Sequence, residues 1–441
     1  MTTPATTDPT PTTGRRAVGG MRALTLATVF AAASGYLVML VAGRALGPAD
    51  YPLFATYWGA FFALGGVANG LMQEATRAVR SARHAAPLAP GSASAPAAAP
   101  TSGGRVRLLP AGLLLGLALA AAVAMSAPAW PSLGLPTFSG VGVAIMAVGI
   151  LGFSLQAATA GALSGTERWG LYAILLTVDA ALRLVVAGVA WWLGDAGLGF
   201  ALATVAGTLT WALMLALSPA TRAALTRALD VGRRRFWRNT GSAMLASAGT
   251  AALVVGFPVF VTATVRESDP APLVGAVILA ITLTRAPLLV PLTSFQSAII
   301  VYFVERRGRG TRALAAPLGL VTAVGIVGAA AAWLVGPWLI RVLFGAEFEL
   351  PGVVLAALTA ASVGTAALMV TGNAALAFDR HLLYNVGWWI AVLAALILLV
   401  TVPGPLDVRS AVALLAGPGI GVAVHVAGLA VIERLTPEPA A

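Results

Sequence analysis

Twelve long apolar stretches fill this chain of 441 residues, and its 27 basic residues, all arginine, gather on every second connection between those stretches. Segments of about 20 apolar residues match the roughly 30 Å of bilayer hydrocarbon when helical, and a helix satisfies its own backbone where no water can. Strands of a barrel would be half that length and alternate in polarity. The stretches predict spans at 22–43, 51–72, 107–127, 140–163, 169–193, 197–217, 241–264, 271–303, 313–340, 352–376, 383–402 and 410–432. The eighth is longer than one crossing and contains Pro287 and Pro291, which predicts a kinked helix extending past the membrane.

Composition closes off the soluble classes. Apolar residues make up 59% and charged residues 10%, with a mean hydropathy of +0.90, which no water-facing surface can accommodate. With the N-terminus in the cytoplasm, 21 arginines fall on that side, while only Arg44, Arg266, Arg341 and Arg409 fall opposite, beside seven acids. The positive-inside bias therefore predicts that both termini are cytoplasmic, and it accounts for a net charge of +11 without nucleic acid as a partner. Membrane lipids are the expected surroundings. No cleavable signal peptide is expected, since the first 20 residues are rich in Thr, Pro and Gly. With no cysteine and three scattered histidines, His84, His381 and His425, neither a thiol site nor a metal or other cofactor is expected.

The organisation reads as two halves. Residues 1–20 are expected to be a disordered cytoplasmic tail and 21–217 an N-terminal six-helix lobe, interrupted by a flexible cytoplasmic insert at 84–104 rich in Ala, Pro and Ser. A basic cytoplasmic linker, 218–240, leads to a second six-helix lobe, 241–433, and a short tail, 434–441. An internal echo supports the division: Glu167-Arg168-Trp169-Gly170-Leu171-Tyr172 and Asp379-Arg380-His381-Leu382-Leu383-Tyr384 share an acid-Arg-x-x-Leu-Tyr pattern, each opening the fifth helix of its half. Six spans return the chain to one side, so the halves are expected to be parallel repeats.

The turn Leu46-Gly47-Pro48-Ala49-Asp50-Tyr51-Pro52-Leu53-Phe54 resembles the LGPxxYGLF signature of polysaccharide and O-antigen flippases in the multidrug/oligosaccharidyl-lipid/polysaccharide (MOP) exporter superfamily. Gly165 to Tyr172 and Leu343-Phe344-Gly345-Ala346-Glu347-Phe348 fit the same picture, whereas Pro52 stands in place of the usual glycine. The resemblance implies an all-α polytopic fold of about twelve helices in two lobes, alternating access, and transport of a polyprenyl-diphosphate-linked glycan across a bacterial cytoplasmic membrane, with glycan-assembly proteins as partners. It also implies a cleft lined by helices 1, 2, 7 and 8.

An anionic headgroup calls for fixed guanidinium donors. Arg285 lies near the middle of span 8, where an ionisable side chain is tolerated only against protein or water, and it is expected to stand without an acid partner and to face the cleft. Gln296, 11 residues later, falls on the same helical face. The structural alternative for Arg285 is that it snorkels or pairs with carbonyls freed by Pro287 and Pro291. Asn69, Gln73, Arg77 and Arg80 form a polar stripe on span 2, and with Arg22 they could receive a diphosphate; the alternative is topology anchoring. Asp179 and Arg183, four apart on span 5, read as an ion pair that is structural or ion-coupling. Glu74 and Glu305 are alternative coupling carboxylates near water, Gln156 and Asn373 helix-to-helix hydrogen bonds, and His425 a packed histidine.

An enzyme is not expected, because the outer loops are short and the longest, Pro128 to Ser139, carries no charge for acid/base work. A drug/cation antiporter of the same superfamily and a non-transporting membrane scaffold are the competing classes.

Overall fold

The apolar runs form helices because nothing else satisfies their backbone in lipid. A computed structural model describes residues 11–84, 105–131, 139–195, 197–229 and 231–435. Its helices are α1 Pro11–His84, α2 Leu108–Ser126, α3 Ser139–Gly165, α4 Trp169–Leu193, α5 Leu198–Ala206, α6 Thr210–Leu217, α7 Pro219–Thr226 and α8 Arg233–Val254. There follow α9 Phe257–Ala263, α10 Ala271–Ser294, α11 Gln296–Val304, α12 Ala315–Phe344, α13 Gly352–Ala377, α14 His381–Thr401 and α15 Leu406–Leu435. Among the described residues, ten helices are long and apolar enough to cross a membrane, or eleven when α8 and α9, bent by 63°, count as one crossing. The first of these, Gly19–Ala82, is itself two helices merged at Gly47 (φ 66°, ψ 175°), which gives the twelve crossings the sequence predicts.

The chain divides into two compact units. Unit 1 comprises Met1–Met39, Ala68–Met125 and Ser139–Met244; unit 2 comprises Leu40–Val67, Ser126–Phe138 and Leu245–Ala441.

In unit 1, residues 218–240 carry regular structure. Ser218 caps α7 by accepting from the Thr221 N–H at 3.1 Å, with Pro219 at the first helical position, where its missing N–H costs nothing. A two-residue strand β2, Ala228–Leu229, then pairs antiparallel with β1, Val106–Arg107, and α8 begins at Arg233. The segment is ordered because Leu225, Leu229 and Phe236 bury themselves with Val106, Leu108 and Leu71 in one apolar cluster. Helix α1 starts at Pro11, so residues 11–20 of the expected tail are helical; extending a formed helix costs little per residue. Residues 1–10, 85–104 and 436–441, which hold the rest of the expected tails and the insert, lie outside the described residues.

In unit 2, span 8 is broken rather than merely kinked. Pro287 and Pro291 are accommodated inside α10, but the helix ends at Ser294 and restarts as α11 at Gln296, so the interruption lies a turn past Pro291. The two family-like stretches come together here: Tyr51 meets Phe348 edge-on at 5.6 Å, and Phe344 lies 6.1 Å from Phe348. The four arginines that break the alternation are all engaged in this unit. Arg44 donates to the Leu343 carbonyl at 2.6 Å and to Val342 O, closing the C-terminal turn of α12; Arg266 donates to Val400 O and Val402 O; Arg341 pairs with Glu349. Arg409, fully buried, binds Asp269 and donates to the carbonyls of Thr264 and Leu399.

The internal echo is a backbone echo. Glu167 (φ 58°) and Asp379 (φ 61°) are the non-glycine residues with positive φ among the described residues. In each copy the following arginine N–H bonds five residues back, Arg168 to Leu163 O at 2.9 Å and Arg380 to Ala375 O at 2.8 Å. The acid's own N–H bonds three back, to Ser164 O and Leu376 O at 3.0 Å. That is a Schellman closure with an acid where glycine is usual, a conformation costing about 1–2 kcal/mol in an L-residue. In the second copy Arg307 pairs with Asp379 at 2.5 Å and holds its carboxyl below the ordinary value, chiefly through that hydrogen bond.

Candidate functional site

The sequence places polar groups inside apolar helices, and the structure gives them specific partners. In unit 1, Arg183 and Asp179 sit one turn apart on α4 and meet as a forked pair, Nε to Oδ2 at 3.1 Å and Nη2 to Oδ1 at 2.9 Å. Gln156 of α3 donates to the same Oδ1 at 3.0 Å, and Arg183 donates its remaining amine to Thr204 O of α5. Span 6 loosens beside the pair: Gly207–Leu209 forms a 3-10 turn between α5 and α6, and any side chain at Gly207 would collide with Asp179 and Arg183. The pair thus explains the glycine.

At the far end of span 2, Glu74 is only 4% exposed, not near water as its position suggests. Arg77 binds it in a fork, Nε to Oε2 at 2.7 Å and Nη2 to Oε1 at 2.5 Å, and Asn239 of α8 donates to Oε1 at 3.3 Å. Of the expected diphosphate stripe, Arg22, Gln73, Arg77 and Arg80 are exposed and Asn69 is half-buried, with the Arg77 fork already turned to Glu74. Asn239 was hidden from sequence reasoning inside the supposed linker; a signal that could have found it is its place as the one amide in an arginine-rich run.

In unit 2, Arg285 is 4% exposed and is not without partners. Its Nη2 donates to Leu253 O at 2.6 Å, and its guanidinium lies 5.8 Å from the centre of the Phe257 ring. Leu253 is in the last turn of α8, where carbonyls lose their helical donors at the bend. The carbonyl it reaches belongs to the break in span 7, not to the turns before Pro287 or Pro291. Gln296, the first residue of α11, donates to Asn373 Oδ1 at 3.1 Å. Glu305 is 65% exposed beside Arg306 at 3.4 Å. His425 is fully buried, bonded through Nδ1 to Thr371 at 2.9 Å and through Nε2 to the Tyr384 carbonyl at 3.2 Å, as a packed histidine should be.

Comparison with known proteins adds relatives and a fold. No family model matches the chain. It is 40% identical to the uncharacterized proteins Rv3630 and Rv1510 of Mycobacterium tuberculosis, over 417 and 418 residues, covering 95% of this chain and 93% of each relative. Among solved structures, it superposes on an inward-facing multidrug resistance MATE family transporter of the MOP superfamily with a TM-score of 0.71 at 14% identity, covering 96% of this chain and all of that one. The lipid II flippase MurJ in an inward closed conformation gives 0.65 at 14% identity, covering 92% of this chain and 87% of that one. The chain therefore belongs to one family with these mycobacterial proteins and shares its fold with these two solved structures.

Proposed function

We propose that this chain is an alternating-access flippase of the bacterial cytoplasmic membrane, with both termini inside, whose cargo is an anionic polyprenyl-diphosphate-linked glycan. One observation carries the reading. Away from the end turns of the spanning helices, the described carboxylates are Glu74 and Asp179, and each is already forked by an arginine. A cationic drug needs a buried carboxylate to displace its water; here both are neutralised from within. Arg285 adds a buried guanidinium to this interior, donating to the Leu253 carbonyl and lying against the Phe257 ring. An anion is the cargo such an interior tolerates.

A second reading, a drug or cation antiporter, draws its support from the multidrug MATE transporters that dominate the similar folds. A deletion strain separates the two. The flippase reading expects lipid-linked glycan to build up on the cytoplasmic leaflet and the wild-type chain to clear it. No build-up, with new sensitivity to cationic drugs, selects the antiporter.

A further inference from the structure

We infer that the break in span 8 builds a binding site for a phosphate oxyanion, formed by the N-terminus of α11 and the buried amide of Asn373. Helix α11 runs for nine residues from Gln296 to Val304, and no side chain caps its start. The first-turn N–H groups of a helix have no helical acceptors and carry the positive end of its dipole. An uncapped helix start inside a membrane protein therefore calls for an acceptor, and anions serve that purpose well.

Asn373 supplies the second and independent observation. It is 2% exposed on α13, and its Oδ1 is occupied by the side chain of Gln296, which fixes the amide at the start of α11. Its Nδ2 has no acceptor at all. A buried amide N–H without a partner costs about 1–3 kcal/mol, so an acceptor must come from outside the protein when the site is filled. The unpartnered atom of Asn373, its Nδ2, is a donor. The charged residues that follow these two helices in the chain include Glu305, Arg306 and Arg307 after α11 and Asp379 after α13. The carboxylates are tied to arginines, Glu305 to Arg306 and Asp379 to Arg307, at the far end of α11 and beyond the end of α13.

The depth is suited to a lipid headgroup. Asn373 is six residues before Asp379, in the last turns of α13, and Gln296 follows the membrane-length stretch Ala271–Thr293. The site thus lies near the end of its helices, where a phosphate attached to an acyl or prenyl chain resides. The proposal rests on the flippase reading only for which lipid carries the phosphate.

The test uses the full purified chain in detergent, with farnesyl diphosphate as probe, farnesol as its neutral control and dihexanoyl phosphatidic acid as the phospholipid arm. Wild type is expected to bind farnesyl diphosphate and not farnesol. Asn373→Asp, which replaces the donor by a negative acceptor, is expected to weaken binding about tenfold or more, while Asn373→Gln retains most of it. Gln296→Glu, at an exposed position, is expected to act like Asn373→Asp without disturbing the buried packing. Equal binding of farnesol, no binding of either phosphate, or full binding by both acidic variants overturns the site. Binding of phosphatidic acid alone keeps the site and assigns it to a phospholipid. A chain that binds farnesyl diphosphate at this site yet clears no lipid-linked glycan keeps the site and loses the flippase reading. Glycan clearance that survives with binding untouched by Asn373→Asp does the reverse.

Discussion

Arg285 donates across 2.6 Å to the carbonyl of Leu253, at the bend where the seventh crossing turns by 63°. The guanidinium therefore takes the place of a helical N–H that the bend removes. Replacing it by Met, which keeps the length of the side chain but not the donor, leaves a buried carbonyl unsatisfied. The expected loss is about 1–3 kcal/mol in unfolding experiments on the solubilised chain, with partial recovery in Arg285→Lys. A variant that loses glycan clearance at unchanged stability would instead assign Arg285 wholly to cargo.

The Asp179 and Arg183 pair gives a double-substitution test. Removing Arg183 alone strands a carboxylate among helices, which costs about 3–5 kcal/mol in buried pairs. Arg183→Met is thus expected to be far less stable than Asp179→Leu combined with Arg183→Met, measured by thermal unfolding. If the single and double variants unfold alike, the pair is not coupled. Gly207→Leu should mimic the single substitution by displacing both partners.

Arg44 closes the end of α12 through the carbonyls of Val342 and Leu343. Arg44→Leu is expected to cost about 1–3 kcal/mol for its lost charge-assisted bonds, and to raise hydrogen exchange first at Phe344 to Phe348, beside the Tyr51 contact. Exchange confined to other segments would count against the cap.

Much of this architecture is legible in the chain, and the exceptions share a cause. The apolar runs and proline positions gave every crossing, because bilayer thickness fixes helix length. The acid-Arg-x-x-Leu-Tyr echo proved to be two matching left-handed turns at Glu167 and Asp379. What the residues could not reveal is where guanidiniums find acceptors. Arg285 and Arg44 are satisfied by backbone carbonyls at a bend and at a helix end, and such carbonyls carry no sequence signature. Arg77 turned to Glu74, its neighbour three residues back, a spacing that was visible and outweighed by the stripe. Residues 218–240 read as a linker because their charges mask the alternation of Leu225, Leu229 and Phe236 in the cluster below.

The turn at Asp379 yields a pH dependence. Its carboxyl is held below the ordinary value by Arg307, so the pairing stabilises the fold above the usual carboxylate range and is lost as pH falls through the lowered value. Asp379→Asn keeps a residue that tolerates the left-handed turn while removing the charge. Its melting temperature should lie below wild type at neutral pH, and the two should converge in acid. A gap that persists in acid would mean that the ion pair is not its source.

The most direct test of the central claim is reconstitution. Proteoliposomes holding the full chain receive a short-chain polyprenyl-diphosphate sugar, and its exposure on the opposite leaflet is read with a membrane-impermeant enzyme, beside uptake of ethidium. The lipid-linked sugar is expected to cross and the cation to stay outside. Ethidium transport without movement of the lipid-linked sugar would contradict it.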